Sequence, residues 1–466
     1  MKNRLVSIVV AVVAGVLTGS TLDAADREDS AVAVRTASSS AGNYAVVVSR
    51  ETQADAQWKQ VVDALIAKHK ATTIVYQKSV DESLPSLAKQ HPRYTCFVAR
   101  PGEATRQFVA NIHRLTRKLD DDPYTDTLWG ILTGFDAKCA LRIAKHDQPL
   151  TVRKVASGTE IAMEMVEEGV WYCELKKNRM VRKRPGGKPA QEKGPDDTTK
   201  ALVDTLNEYH ADLFVTSGHA TERDWQIGYA YRNGSFRSKA GKLVGHDTQG
   251  NTYPIHSTNP KVYLPIGNCL MGHIDGPDAM ALAWMNSAGV HQMIGYTVPT
   301  WFGYAGWGCL DYFVEQPGRY TLTEAFFANH HALTYCLENG GGNQRGLQFD
   351  RDVVAFYGDP AWNARMADGP RAYEQELSVS DGVYTFRIRG NRGEDSFKPI
   401  NTNGSQRGWR PIVEILPCRL KDIEVIEDGG LNPVVADDFI LIPNPREYDP
   451  SRQYEIRFKA AKTVRN

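Results

Sequence analysis

Two short apolar runs, each breaking straight into a small loop with a reactive side chain, constrain this chain more than any other feature. Leu213, Phe214 and Val215 lead through Thr216, Ser217 and Gly218 to His219, while Val262, Tyr263, Leu264 and Ile266 lead through Gly267 and Asn268 to Cys269. Continuous apolar runs of this length suit strands covered on both faces, and such strands belong to largely parallel sheets flanked by helices. In an open sheet of that kind the ligand crevice lies beyond the carboxyl ends of the strands, so a residue just past a strand projects into it. His219 and Cys269 are both expected there.

The flanking sequence supports an α/β region. Residues 44–48, 73–76 and 94–99 read as strands. Residues 58–69 and 103–119 have helical spacing, the second with Phe108, Ile112 and Leu115 on one face, and the turn Asp120, Asp121, Asp122, Pro123 stops it. Residues 176–199 turn to Lys, Arg, Pro and Gly, which reads as a solvated mobile loop, with a proteolytic processing site as the alternative. Beyond Pro370 short strands punctuated by Gly, Pro and Asn predict a small β-sandwich of immunoglobulin-like type over 371–466. The catalytic α/β region is therefore expected over 43–370.

The first residues set the expected address. Lys2 and Arg4 precede an apolar stretch over 5–17, followed by small and polar residues up to Ala25. That is the pattern of a signal peptide over 1–24, with a flexible lead-in over 25–42, and it predicts an exported protein, whether periplasmic, cell-surface or secreted. Roughly thirteen apolar residues make a helix of about 20 Å, too short for the roughly 30 Å hydrocarbon core, so no stable membrane span is expected after cleavage. Fifty-five Lys and Arg residues balance fifty-five Asp and Glu. That balance leaves no global field to hold nucleic acid. Seven cysteines without a CxxC pair exclude a zinc ribbon and allow up to three disulfides with one thiol left over.

A thiol and an imidazole at one sheet edge make a nucleophile and its acid/base partner, the imidazole promoting the thiolate and later protonating a leaving amine. The backbone N–H groups of Ala220 and Cys269 are the candidate donors to a developing oxyanion. Polypeptides are the expected substrates, and no cofactor is expected in the catalysis.

The run His219, Ala220, Thr221, Glu222, Arg223, Asp224, Trp225 resembles the histidine segment of gingipain-like cysteine peptidases, of the caspase-like fold group. Cys269, Leu270, Met271, Gly272 is similar to their nucleophile stretch, with Ala279 to Ala283 similar to the helix that follows. Asp121, Asp122, Pro123, Tyr124, with Gly134, Arg142 and Ile143, and then Tyr357, Gly358, Asp359, Pro360, resemble further elements of that family. The resemblance covers about 43–370. It implies a mostly parallel sheet with flanking helices followed by a β-sandwich, and an endopeptidase with Cys269 as nucleophile and His219 as general acid/base, acting through a thioester acyl-enzyme.

The departures carry expectations of their own. Ala220 stands where the family usually has Gly, which misplaces an oxyanion donor if that turn needs positive φ. Asn268 replaces a small residue, which predicts a crowded pocket floor. The acidic residue that the family places soon after the element ending at Arg142 is not evident; His146 and Asp147 occupy that neighbourhood. These departures support an inactive, peptidase-fold binding or surface protein as the alternative. A second alternative is a metal site built from Cys269, His273 and His219.

Trp284 and Trp301 are the candidate substrate-pocket walls, in a cluster with Phe302, Tyr304 and Trp307. Asp275, Asp278 and Asp311 are the carboxylates available to a basic substrate side chain. Asp120, Asp122 and Asp126 offer hard oxygen ligands for a structural calcium, which the resemblance also suggests.

Overall fold

The computed structural model describes residues 43–463; the expected signal peptide (1–24) and lead-in (25–42) lie outside them. Among the described residues twelve strands form one sheet, in the order Thr72–Tyr76, Tyr44–Ser49, Tyr94–Val98, Leu128–Leu132, Val354–Tyr357, Val290–Tyr296, Lys261–Asn268, Leu213–Gly218, Lys154–Ser157, Glu168–Tyr172, Arg179–Lys183 and Ala190–Lys193. Neighbours run parallel except between Val290–Tyr296 and Val354–Tyr357 and along the last two strands. The first reversal splits the sheet into halves of opposite direction. The strands leading to His219 and Cys269 lie next to each other within one parallel half.

The apolar runs form strands because both faces are covered. Leu213, Phe214 and Val215, like Val262, Tyr263 and Leu264, are fully buried, and burial on two faces removes the polar alternation of a surface strand. Helix Ala56–His69 begins where the Asp55 carboxylate accepts from the N–H groups of Gln57 and Trp58, and it buries Trp58, Val61, Val62 and Leu65. The expected helix over 103–119 forms as Arg106–Thr116, with the Thr105 hydroxyl accepting from the N–H of Phe108.

Asp359 closes this region. A side chain at Gly130 would collide with the carbonyl of Gly358 at 2.6 Å, so glycine lets the Gly358–Pro360 turn lie against the strand. The Asp359 carboxylate, fully buried, takes hydrogen bonds from the Tyr44 hydroxyl at 2.7 Å and from His69 and Lys68 at 2.8 Å each. Burial alone would raise its pKa; the hydrogen bond and charge of His69 and the charge of Lys68 hold it well below the usual carboxylate range.

The basic segment is not a loop. Arg179–Lys183 and Ala190–Lys193 form an antiparallel hairpin that extends the sheet, turning at Gly186 with φ of 70°. Its charges sit on an edge strand, where they discourage further pairing, and Arg182 and Arg184 pair with Glu192 across the hairpin. Composition pointed to solvation, which is correct for the side chains and says nothing against a backbone ladder.

The last hundred residues fold as two antiparallel sheets, Tyr373–Ser380, Val383–Gly390, Tyr454–Lys462 and Leu420–Glu427 in one, and Ile412–Ile415, Phe439–Ile442 and Val434–Val435 in the other. Phe386, Ile388, Ile456 and Phe458 of the first pack with Ile412, Ile440 and Ile442 of the second. The alternate residues Val413, Phe439 and Leu441 join the core of the α/β region instead. The three-stranded sheet is thereby buried on both faces and joins the two parts of the chain. All seven cysteines are free thiols, with Cys96, Cys139, Cys173 and Cys309 buried.

Candidate active site

The register between the two central strands pairs Gly218 with Asn268, so His219 and Cys269 are the first residues past the carboxyl ends of neighbouring parallel strands, whose spacing is about 4.8 Å. Gly218 has a φ of 92°, and this left-handed glycine turns the chain out of the sheet just before the histidine. Ala220 is not among the residues of positive φ. The turn that demands a glycine has one at 218, and alanine at 220 distorts nothing.

Trp225 anchors the histidine loop. Its buried indole donates to the Ser217 carbonyl at 2.9 Å and occupies space that a side chain at Gly158 would fill. Two contacts tie this loop to the cysteine loop: the Arg223 guanidinium forks onto Asp275 at 2.6 and 2.9 Å, and the Met280 N–H donates to the Glu222 carbonyl at 2.8 Å.

The Cys269 thiol is partly exposed. Its sulfur accepts from the Thr300 N–H at 3.2 Å and lies 3.8 Å from the Thr300 carbonyl, while the Thr300 hydroxyl donates to the Asn268 carbonyl at 3.2 Å. The Thr300 backbone thereby holds the sulfur in one position. No hydrogen bond joins the sulfur to His219 among the described residues. The imidazole is exposed.

Asn268 does not crowd the site floor. Its side chain is fully buried and turned sideways, accepting from the Thr216 hydroxyl at 2.6 Å and donating to the Gly218 carbonyl at 3.0 Å. It clamps the two strands together at their reactive ends. The Asn268 amide thereby shares the Gly218 carbonyl, which faces the cysteine end of the neighbouring strand.

The aromatic candidates separate. Trp284 is fully buried, stacked on Tyr263 at 3.8 Å and packed with Phe214; it is a core residue, because helix Met280–Ser287 is covered on nearly every side. Trp301 is 51% exposed, one residue past Thr300, with its ring against Phe302 and Phe349. Sequence reasoning passed over Thr300, and also Tyr229, which is exposed and stacks on the His219 ring at 5.1 Å. Neither has a signal in the sequence, since each arrives from a distant loop.

The proposed carboxylates for a basic substrate group are occupied. Asp275 is held by Arg223, the Asp278 carboxylate accepts from the Ala240 N–H at 2.6 Å, and Asp311 is buried against Arg407 at 3.2 Å and Arg410 at 3.4 Å. His146 packs against His291 and Trp362, away from His219. Cys269, His273 and His219 do not form a metal-ligand cluster: among the described residues the group close enough to share one ion is Asp120, Asp126 and Asp437. Cys269 and His273 are four apart on an irregular turn, which removes the helical face that would have brought them together.

In that acidic group Asp437 takes the place expected for Asp122, whose carboxylate instead accepts from the Tyr124 N–H at 2.8 Å. Arg419 reaches between the carboxylates, donating to Asp120 and Asp126 at 2.6 Å each and pairing with Asp437. Burial pushes Asp126 up to about 9 and Asp437 up to about 6. The guanidinium supplies the positive charge that a cation would bring there.

The sequence matches no known family profile, and no curated protein is significantly similar to it. Among solved structures, the Arg-specific cysteine proteinase gingipain R is similar over 87% of this chain and 92% of its own, with 13% identity and a TM-score of 0.45. The complex of the Porphyromonas gingivalis RgpB pro- and mature domains gives the same identity and TM-score over 87% of this chain and 94% of that one. A structure described only as a protease matches over 91% and 98% at 9% identity and a TM-score of 0.42. Likeness this distant carries no functional weight, and the reading below rests on the chain's own geometry.

Proposed function

We propose that the chain is a cysteine endopeptidase in which Cys269 attacks a peptide carbonyl and His219 supplies and recovers the proton. The observation that carries this is the Gly218–Asn268 register, which sets a partly exposed thiol and an exposed imidazole at the ends of adjacent parallel strands. The sulfur forms a tetrahedral adduct with the scissile carbonyl. The N–H groups of Cys269 and Ala220 would receive its oxyanion, and His219 protonates the departing amine to leave a thioester. Water activated by His219 then attacks the thioester, releasing the acid and the thiol. Trp301, exposed one residue past Thr300, is the candidate wall for a substrate side chain.

Export through the amino-terminal segment belongs to the same proposal, as does polypeptide as the substrate class. No helix among the described residues is long and apolar enough to cross a membrane. The test is incubation of the purified full chain with a denatured protein digest library and mapping of new termini by mass spectrometry. Cleavage by the wild type and none by Cys269→Ala or His219→Ala is the expected result; equal cleavage by all three overturns the proposal.

A further inference from the structure

His219 lacks the partner that usually orients a catalytic imidazole. In a nucleophile, imidazole and carboxylate arrangement the third group fixes the ring by a hydrogen bond and stabilises its protonated form. Neither ring nitrogen of His219 makes a hydrogen bond among the described residues; what the ring has is a face. The Tyr229 ring lies against it with centroids 5.1 Å apart and planes 27° from parallel. The same ring covers the left-handed glycine that launches the histidine, since a side chain at Gly218 would meet Tyr229 Cδ2 at 3.7 Å.

Tyr229 is 54% exposed, so core packing does not account for its position. Its backbone does. The N–H groups of Tyr229 and Ala230 both donate to the Glu174 carbonyl, at 2.7 and 3.0 Å. Glu174 is buried, and its carboxylate accepts from the Thr159 hydroxyl, the Glu160 N–H and the Trp171 indole at 3.0–3.1 Å. Thr159 and Glu174 follow the carboxyl ends of the next two strands along the sheet. A polar knot at those strand ends therefore fixes the loop that presents the tyrosine.

Resting on the Cys–His reading above, we propose that Tyr229 is a positioning residue of the reaction, doing with its ring face what a carboxylate does elsewhere. The face confines the imidazole to one plane and leaves both nitrogens free, one for the sulfur or the departing amine and one for solvent. The negative face of the ring also favours the imidazolium over the neutral ring. An imidazolium held at the neighbouring strand end would supply the positive charge that a Cys269 thiolate needs.

The test is the rate of iodoacetamide alkylation of Cys269 against pH, with the modified peptide quantified by mass spectrometry to separate it from the six other thiols. Tyr229→Ala leaves the backbone anchors and the core untouched. The expected result is a rise of about half a pH unit in the midpoint for thiolate formation, hence about a threefold slower reaction on the acidic limb, the size expected for an exposed cation–π contact. Tyr229→Phe keeps the ring face and restores the wild-type profile, an outcome a hydroxyl-mediated or general packing role would not give. A His219→Ala profile displaced from wild type, with Tyr229→Ala unchanged, overturns the positioning role and leaves the peptidase reading standing. A His219→Ala profile identical to wild type overturns the Cys–His reading itself.

Discussion

Asn268 links the fold to the chemistry closely enough for one substitution to separate the two. Asn268→Ala removes a fully buried amide that bonds the Thr216 hydroxyl at 2.6 Å and the Gly218 carbonyl at 3.0 Å. Thr216 keeps its contact with the Tyr263 hydroxyl at 2.9 Å, so the Gly218 carbonyl is the group left orphaned. Two lost hydrogen bonds at about 1 kcal/mol each, plus roughly 1 kcal/mol for the cavity, give a destabilisation of about 2–4 kcal/mol. The freed carbonyl stands next to the Cys269 N–H and competes for it, and losing one oxyanion donor costs on the order of 100-fold in turnover. Asn268→Asp keeps the shape and the Thr216 contact but turns a donor into an acceptor facing the Gly218 carbonyl, so it is expected to be at least as damaging. The assay pairs thermal unfolding with kcat on a cleaved peptide and with Cys269 alkylation. The expected pattern is lower stability, turnover reduced about 100-fold, and alkylation within about threefold of wild type, because the thiol remains held by Thr300. Unchanged turnover in a folded Asn268→Ala protein would refute the assignment of the Cys269 N–H as an oxyanion donor.

Other consequences concern charge and packing. Arg407 is buried between Asp311 and Glu315, so Arg407→Met leaves the buried Glu315 without its guanidinium and Asp311 with Arg410 alone, and is expected to cost about 3–5 kcal/mol, read as a large fall in melting temperature. Burial and the neighbouring His330 push His331 down to about 3. In the native state it stays neutral between pH 6.5 and 3 while the unfolded chain binds its proton, so stability falls as pH drops through this window. His331→Phe removes that cost and keeps a ring against Phe439, and should gain about 2 kcal/mol relative to wild type between pH 7.5 and pH 5; an equal difference at both pH values speaks against the buried neutral histidine. Arg419→Ala leaves Asp120, Asp126 and Asp437 facing one another without their guanidinium. Calcium is expected to raise the melting temperature of this variant and to change that of the wild type little, and a wild type as responsive as the variant contradicts the placement of Arg419.

What was readable in the sequence was whatever is set by local pattern. The buried strands ending at Gly218 and Asn268, the helix read over 58–69 and the sandwich strands after 370 all follow from apolar runs and turn residues, and the two reactive side chains were found because each stands just past such a strand. What was missed depends on contacts between distant loops. Thr300 reaches the sulfur and Tyr229 reaches the imidazole across gaps in sequence that carry no pattern. Asn268 was read by its size, whereas its hydrogen bonds decide its role. Trp284 was read by its chemistry, whereas a helix covered on nearly every side decided its burial. The basic segment over 176–199 misled because charge reports on side chains in water, and an edge hairpin satisfies its backbone while leaving those charges exposed.

The central claim is that one thiol and one imidazole act together on a single bond. Its most direct measurement is covalent labelling of the purified chain by a peptidyl acyloxymethyl ketone, with the adduct located by peptide mapping. A single adduct on Cys269, abolished by His219→Ala while that variant retains its melting temperature, is the predicted result. An adduct formed equally well without His219, or located on another cysteine, would contradict it.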